Sequence, residues 1–225
     1  MSGALIAVEG LDGSGKATQT ALLCQALKKQ GVSLRRISFP DYEQPSSALV
    51  KMYLGGAFST DPQAVNAYAA SSFYAVDRFA SFAQFWKPDY EAGKTIVADR
   101  YSTSNIVYQM SKLPHEKWDA FIEWICDYEY DKLGLPEPNC TIYLDMPPEV
   151  SQKLLSVRYH GDEQKKDIHE RDTAYLSVCR ESAAYAAKKL GWLVINCAEG
   201  DNAKAVEQIH EELMKRLAEE TFLHV

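Results

Sequence analysis

A glycine-rich stretch near the start of the chain has the residue types and spacing of a phosphate-binding loop. Gly10, Gly15 and Lys16 complete the pattern G-x-x-x-x-G-K, between an apolar run and a segment of helical periodicity. Glycines let backbone N–H groups turn towards phosphate oxygens, and the lysine adds a full charge to the partial positive charge of a helix N-terminus. The stretch therefore predicts binding of nucleotide phosphates by Gly10, Leu11, Asp12, Gly13, Ser14, Gly15, Lys16, Ala17 and Thr18.

One position of this loop departs from the usual pattern. Ala17 stands where a Ser or Thr hydroxyl ordinarily binds Mg²⁺, and alanine offers no oxygen. Thr18 lies one residue later, about 100° further around a helix, so we do not expect it to substitute. Magnesium would then be held by nucleotide phosphates, water and carboxylates such as Asp12 or Asp99, which predicts weaker Mg²⁺ binding without loss of nucleotide binding.

The elements that must position this loop follow from the hydrophobic pattern. Short apolar runs rich in β-branched residues alternate with longer segments of helical spacing, which predicts an α/β fold whose parallel sheet is covered on both faces. Ligands of open α/β sheets gather at the carboxyl ends of the strands, so candidate site residues should follow those runs. The predicted strands are 4–9, 35–40, 95–100, 141–146 and 192–197, and the predicted helices are 16–30, 62–86, 114–133, 148–158, 169–190 and 201–220.

Composition narrows the class of protein. The 225 residues carry a net charge of −7, which disfavours a nucleic-acid partner, and no run approaches the ~20 apolar residues of a membrane span. Five scattered cysteines without a C-x-x-C pair argue against a disulfide framework or a structural zinc site. Without a linker or a signal-like N-terminus, residues 1–225 are expected to form a single domain in a reducing cytoplasm.

Three further stretches suit an anionic acceptor that carries a base. They are SFPDY (38–42), SFYAVDRF (72–79) and DRYSTSNIVYQ (99–109), which combine arginines for phosphate with aromatic rings for a nucleobase. Together with the loop E-G-x-D-G-x-G-K-x-T-Q and a P-x-x-T-I-Y-L-D segment (138–145), this order of motifs resembles the thymidylate kinase family over nearly the whole chain. The resemblance implies a three-layer P-loop nucleoside monophosphate kinase fold with a five-stranded parallel sheet and a mobile lid. It also implies phosphoryl transfer from ATP to dTMP with Mg²⁺, in a homodimer.

The resemblance implies roles for the residues that match the family motifs. Asp12 would approach the acceptor's 3′-hydroxyl or its metal, and Arg100 would hold the acceptor phosphate. Asp99 would orient metal-bound water. Tyr74 would stack on thymine, although the adjacent Phe73 fits the commoner residue type, and Arg78 would face the base edge near O4.

Further residues of the same motifs would complete the acceptor site. Ser104, Asn105 and Tyr108 would line the base and sugar, and the Tyr108 ring would leave no room for a 2′-hydroxyl. Tyr42 would reach the acceptor phosphate through its hydroxyl. Many family members carry an arginine beside the F-P pair, whereas this chain has Asp41 and Tyr42, so one phosphate contact is expected to be missing.

A polar segment at 158–171 matches the family's lid. The phosphate loop holds no arginine, so the resemblance implies that the lid supplies the catalytic one, with Arg158 as the first candidate and Arg171 as the second. Glu170 would lie near the acceptor metal. Two alternatives stay open: another (deoxy)nucleoside or nucleoside monophosphate kinase, and a non-catalytic P-loop nucleotide-binding protein, which Ala17 would permit.

Overall fold

The structure is a computed structural model that describes residues 2–61, 63–158 and 172–220, without the side chain of Arg158. The predicted lid, 158–171, therefore lies outside the described residues apart from the backbone of Arg158 at the end of a helix.

Five parallel strands form the central sheet. They are β1 (Leu5–Gly10), β2 (Leu34–Ser38), β3 (Thr95–Asp99), β4 (Cys140–Asp145) and β5 (Leu193–Asn196). Their order across the sheet is β2-β3-β1-β4-β5, so the phosphate loop leaves the central strand. Every strand lies within two residues of its predicted bounds, and the predicted α/β fold with a five-stranded parallel sheet is confirmed.

Helices surround this sheet within the described residues. Short 3₁₀ turns precede α2 and α6 and follow α5, and a small hairpin of β6 (Ala198–Glu199) and β7 (Asn202–Ala203) precedes the last helix. The helices are α1 (Lys16–Lys29), α2 (Ala48–Leu54), α3 (Ala67–Ser81), α4 (Lys87–Glu91), α5 (Thr103–Tyr108), α6 (Trp118–Cys126), α7 (Pro148–Arg158), α8 (Thr173–Leu190) and α9 (Val206–Ala218).

Four helix predictions were wrong at their ends. The helix expected over 169–190 begins at Thr173, after Asp172, whose side chain accepts from the Tyr175 N–H. The helix expected over 62–86 begins at Ala67, because the Asn66 side chain caps it by accepting from the Ala69 N–H, and it passes through a π-helical turn into α4. The helix expected over 114–133 ends at Cys126 and continues as a second π-helical turn, Asp127–Lys132. The helix expected over 201–220 starts only at Val206, because residues before it form the hairpin.

The two faces of β1 show how the layers are held. Ile6 and Val8 pack with residues of α1 and α9, whereas Leu5 and Ala7 pack on the opposite face with the aromatic residues that follow α3. Alternate side chains of a strand point to opposite faces, and because all six residues of β1 are buried, the strand is covered on both. No helix in the described part of the chain is both long enough and apolar enough to cross a membrane.

Candidate functional site

The phosphate loop connects β1 to α1 at the carboxyl edge of the sheet. Gly13 and Gly15 adopt φ values of 80° and 87°, in the left-handed region that favours glycine, and a Cβ on Gly13 would lie 2.7 Å from the Ser151 backbone oxygen. An open cavity lies beside the loop. Its walls are formed by Asp12, Gly13, Gly15, Lys16, Ala17, Thr18, Ser38, Phe39, Asp99, Arg100, Leu154 and Leu155.

The predicted loop residues divide between this cavity and the interior. Gly10, Leu11 and Ser14 are buried behind the loop and do not line the cavity. Ala17 and Thr18 both line it, although Thr18 lies one position further around the helix. The position without a hydroxyl is therefore part of the cavity wall, and Thr18 is part of it as well.

Lys16 is largely buried at the base of the cavity. Its Nζ donates to the Leu11 carbonyl oxygen at 2.8 Å and lies 3.8 Å from Asp12 Oδ1. Burial and the neighbouring charge of Arg100 lower the pKa of Lys16 to about 8, against the opposite influence of Asp12, Asp99 and Glu9. A phosphate that entered the cavity would give this buried cation a closer anionic partner than Asp12.

Arg100 stands at the junction of the phosphate loop and the acceptor residues. Its φ of 66° is the single left-handed value at a non-glycine residue in the described chain. Its guanidinium pairs with Asp12 and donates to Tyr108 Oη at 3.3 Å, with its carbon 5.1 Å from the Tyr108 ring centre. A strained backbone held in place by its surroundings is typical of functional positions.

A buried carboxylate that the motif analysis left without a role holds this segment in place. Glu9, at the end of β1, is fully buried and accepts from the Tyr101 N–H at 2.9 Å and the Thr103 hydroxyl at 2.6 Å. Its second oxygen accepts from the Ser104 hydroxyl at 2.7 Å. A charged residue inside an otherwise apolar strand was the sequence signal, since a buried carboxylate needs such partners.

A second cavity lies on the other side of Arg100. All the predicted acceptor-site residues line it, whereas Phe73 does not and instead packs against Tyr53 and Phe58. The geometry therefore favours Tyr74 over Phe73 as the aromatic residue of the cavity. The lining residues are Asp12, Phe39, Pro40, Tyr42, Leu54, Tyr74, Arg78, Arg100, Ser104, Asn105, Tyr108 and Gln109.

Arg78 is held in the wall of this cavity by a partner that the motif analysis missed. Its Nε and Nη2 atoms donate to the two oxygens of Glu129 at 2.7 and 2.6 Å, and both side chains are buried. Burial alone would lower the pKa of Arg78, but the charge and hydrogen bonds of Glu129 raise it above its ordinary value. Glu129 continues the apolar stripe of Phe121 and Ile125, which is the signal that could have revealed it.

Two more residues at this cavity had no predicted role. The Oε1 atom of Gln109 is buried with no hydrogen-bond partner in the part of the chain that the structure describes, although Gln109 lines the cavity. Asp77 is buried and accepts from the Asp41 N–H at 2.9 Å and the Ser46 hydroxyl at 2.6 Å. Asp77 thus fixes the loop that carries Tyr42 into the cavity wall.

The two cavities share three wall residues: Asp12, Phe39 and Arg100. The predicted metal ligands Asp12 and Asp99 both line the phosphate-loop cavity, but no group of three or more His, Cys, Asp or Glu residues in the described ranges forms a metal cluster. Glu170 and the side chains of Arg158 and Arg171 lie outside the described residues. Lys16 therefore lines the phosphate-loop cavity alone, whereas Arg100 lines both cavities.

Comparisons with known proteins agree with this arrangement. The family model described as Thymidylate kinase matches residues 8–213. A thymidylate kinase from Mycobacterium tuberculosis is 31% identical over 202 residues, covering 85% of this chain and 90% of that protein. A thymidylate kinase from Caenorhabditis elegans is 27% identical over 225 residues, covering 94% of this chain and 91% of that protein.

A solved structure shows the same fold. The thymidylate kinase from Candida albicans superimposes with a TM-score of 0.68 at 22% sequence identity, over 96% of this chain and 92% of that one. With a family model matching most of its length, the chain belongs to the thymidylate kinase family.

Proposed function

We propose that this protein transfers the γ-phosphoryl group of ATP to dTMP, giving ADP and dTDP. The observation that carries this proposal is the pair of adjoining cavities, one built on a phosphate loop and the other on aromatic side chains and arginine, with Asp12 and Arg100 in the wall of both. Two nucleotides bound tail to tail would place their phosphates at that shared wall.

The phosphate-loop cavity is the proposed ATP site. Backbone N–H groups of the loop and Lys16 would hold the β- and γ-phosphates, and Arg100 would balance charge between donor and acceptor. The attacking phosphate oxygen of dTMP is already largely ionised near neutral pH, so no protein base is needed. Alignment and charge neutralisation are therefore the main tasks of these residues.

The second cavity is the proposed dTMP site. Tyr74 would stack on the base, Arg78 would donate to its edge, and Ser104 and Asn105 would line the base and sugar. Tyr108 packs under Arg100 and donates to Asp12 Oδ2 at 3.0 Å, and its ring would leave no room for a ribose 2′-hydroxyl. Tyr42, half exposed at the mouth, would reach the acceptor phosphate.

The donor set of the phosphate-loop cavity fits Mg²⁺. This ion prefers oxygen ligands and is commonly bound by one or two carboxylates together with substrate phosphates. Asp12 and Asp99 would supply those carboxylates, since Ala17 has no hydroxyl. When bound, Mg²⁺ would neutralise charge on the transferring phosphates. Asp12 and Lys16 would orient the phosphates around it.

The remaining parts of the proposal extend beyond the described residues. Residues 1–225 would act as one kinase domain in the cytoplasm, with a lid at 158–171 that supplies Arg158 or, as second choice, Arg171, and places Glu170 near the metal. A homodimer is supported by exposed apolar side chains on and after α3, among them Val76, Phe79 and Phe85. Such side chains are more often covered in an assembly.

The test is ADP release from ATP with dTMP, dUMP, dCMP and thymidine as separate acceptors. Fastest turnover with dTMP is expected. Preference for another acceptor would instead indicate a different nucleoside or nucleoside monophosphate kinase. ATP binding without ADP release on any acceptor would indicate a non-catalytic nucleotide-binding protein, the candidate that Ala17 favours.

A further inference from the structure

A fully buried carboxylate lies directly behind the proposed base site without forming part of its wall. Glu129 belongs to the π-helical turn after α6 and accepts three hydrogen bonds. Its Oε1 accepts from Arg78 Nη2 at 2.6 Å and Asn105 Nδ2 at 2.8 Å, and its Oε2 accepts from Arg78 Nε at 2.7 Å. One carboxylate thus contacts two side chains of the base site at once.

The contact with Arg78 fixes which of its N–H groups remain for a ligand. Glu129 engages the Nε and Nη2 edge of the planar guanidinium, so the Nη1 edge is left to donate elsewhere. The rings of Phe39 and Tyr101 lie 5.9 and 6.0 Å from the guanidinium carbon and hold its plane. Because the charge is already paired, this arginine suits a neutral acceptor such as a base carbonyl.

The contact with Asn105 fixes the orientation of its amide. The amide nitrogen lies between two acceptors, Glu129 Oε1 at 2.8 Å and the Ser71 carbonyl oxygen at 3.3 Å. Two acceptors on one side require the donor end there, so the Asn105 oxygen is turned the other way. Asn105 lines the cavity and would therefore present an acceptor to a ligand.

We infer that Glu129 is a positioning residue that sets the hydrogen-bond polarity of the base site. It makes Arg78 a donor and Asn105 an acceptor, which matches the adjacent O4 acceptor and N3–H donor of thymine. Cytosine offers a 4-amino donor and an N3 acceptor, the opposite pattern. This inference rests on the proposed dTMP site and assigns part of its base selection to a residue that does not touch the substrate.

The experiment compares two acceptors that differ only at this edge, dTMP and 5-methyl-dCMP. The ratio of their kcat/KM values is measured for the wild-type protein and for Glu129→Gln. In one orientation the glutamine nitrogen would face Arg78 Nε, and in the other it would face both Arg78 Nη2 and Asn105 Nδ2. Either orientation sets donor against donor and removes the contacts that fix the two side chains. The ratio should fall by about tenfold or more, because a mismatched buried polar group is costly.

Three further measurements separate positioning from a merely structural role. The ratio does not depend on the folded fraction, so loss of stability alone leaves it unchanged. Glu129→Asp keeps an acceptor-only group and should hold the ratio closer to wild type, and Asp131→Asn, an exposed change on the same turn, should not move it. The ratio of dTMP to dUMP, which differ by the methyl group, should also stay constant in Glu129→Gln.

The outcomes distinguish a failure of the inference about Glu129 from a failure of the proposed dTMP site. A wild-type protein that uses dTMP and 5-methyl-dCMP equally would overturn both the base-site assignment and the role of Glu129. The role of Glu129 alone would be overturned if the wild-type protein discriminates between the two acceptors and the Glu129→Gln variant keeps the same kcat/KM ratio to within about twofold.

Discussion

Two arginines of this protein, each paired with a carboxylate, lie in very different surroundings. Arg78 and Glu129 are both buried, and the carboxylate accepts from one edge of the guanidinium, through Nε and Nη2. Arg100 is paired with Asp12, whose side chain is 24% exposed and also accepts from Tyr108. In the proposed function, the buried pair leaves the remaining N–H groups of Arg78 to donate to an uncharged base, whereas the partly exposed pair would let Arg100 contact a phosphate.

The largest expected effect separates the two pairs by stability. Arg78→Met should reduce the free energy of unfolding by about 3–5 kcal/mol, because it leaves Glu129 charged and buried without its partner. Arg100→Met should cost about 1 kcal/mol or less, because Asp12 stays partly solvated. Denaturant unfolding measures both, and adding Glu129→Leu to Arg78→Met should recover most of the loss. Equal losses in the two single variants would contradict the distinction.

The second expected effect is on activity and concerns the phosphate side, where the loss of stability is expected to be small. Lys16→Ala or Arg100→Ala should lower kcat/KM by about 10²-fold or more, since each removes positive charge from the transferring phosphates. Lys28→Ala, at the exposed far end of α1, is the matched control and should stay at the wild-type rate. Steady-state ADP release gives these values, and a wild-type-like rate in either variant would remove that residue from the site.

A third, smaller effect is a pH dependence confined to the phosphate side. The pKa of Lys16 is lowered to about 8, so its charge is present below pH 8 and lost above it in the free protein. ATP affinity should therefore fall by roughly tenfold between pH 7 and pH 9. Titration calorimetry should also detect proton uptake on binding near pH 8.

The base side provides the contrast for that measurement. Arg78 has a pKa raised above its ordinary value and keeps its charge through this range, so dTMP affinity should change little between pH 7 and pH 9. Lys16→Arg should flatten the ATP profile, because arginine does not lose its charge there. An unchanged slope in Lys16→Arg would assign the titration to another group.

The smallest effect concerns the missing hydroxyl of the phosphate loop. Ala17→Ser should raise Mg²⁺ affinity by about 1 kcal/mol, roughly fivefold, by adding one oxygen ligand. Thr18→Val tests whether the neighbouring hydroxyl, which also lines the cavity, already serves this purpose. Magnesium titrations of activity decide between them. Overlapping curves for Ala17→Ser and the wild type would show that this position does not contribute.

The sequence identified the residues that line the two cavities better than the buried residues that hold them in place. The predicted acceptor set from Tyr42 to Tyr108 lines one cavity, and strand bounds were predicted within two residues. Glu9, Asp77 and Glu129 received no role, because each acts through partners far along the chain, such as the 51 residues that separate Arg78 from Glu129. No local pattern encodes which buried donors a carboxylate will meet.

By itself, the sequence determined the parallel α/β fold, the phosphate loop and the family, because hydrophobic periodicity and glycine spacing are properties of residues close together along the chain. Only the tertiary structure decided that Tyr74 rather than Phe73 lines the proposed acceptor cavity, and that this cavity and the phosphate-loop cavity share Asp12 and Arg100. It also decided which arginine is neutralised by a buried partner. These facts depend on how distant segments pack, since burial and pairing together fix what a charged side chain can bind.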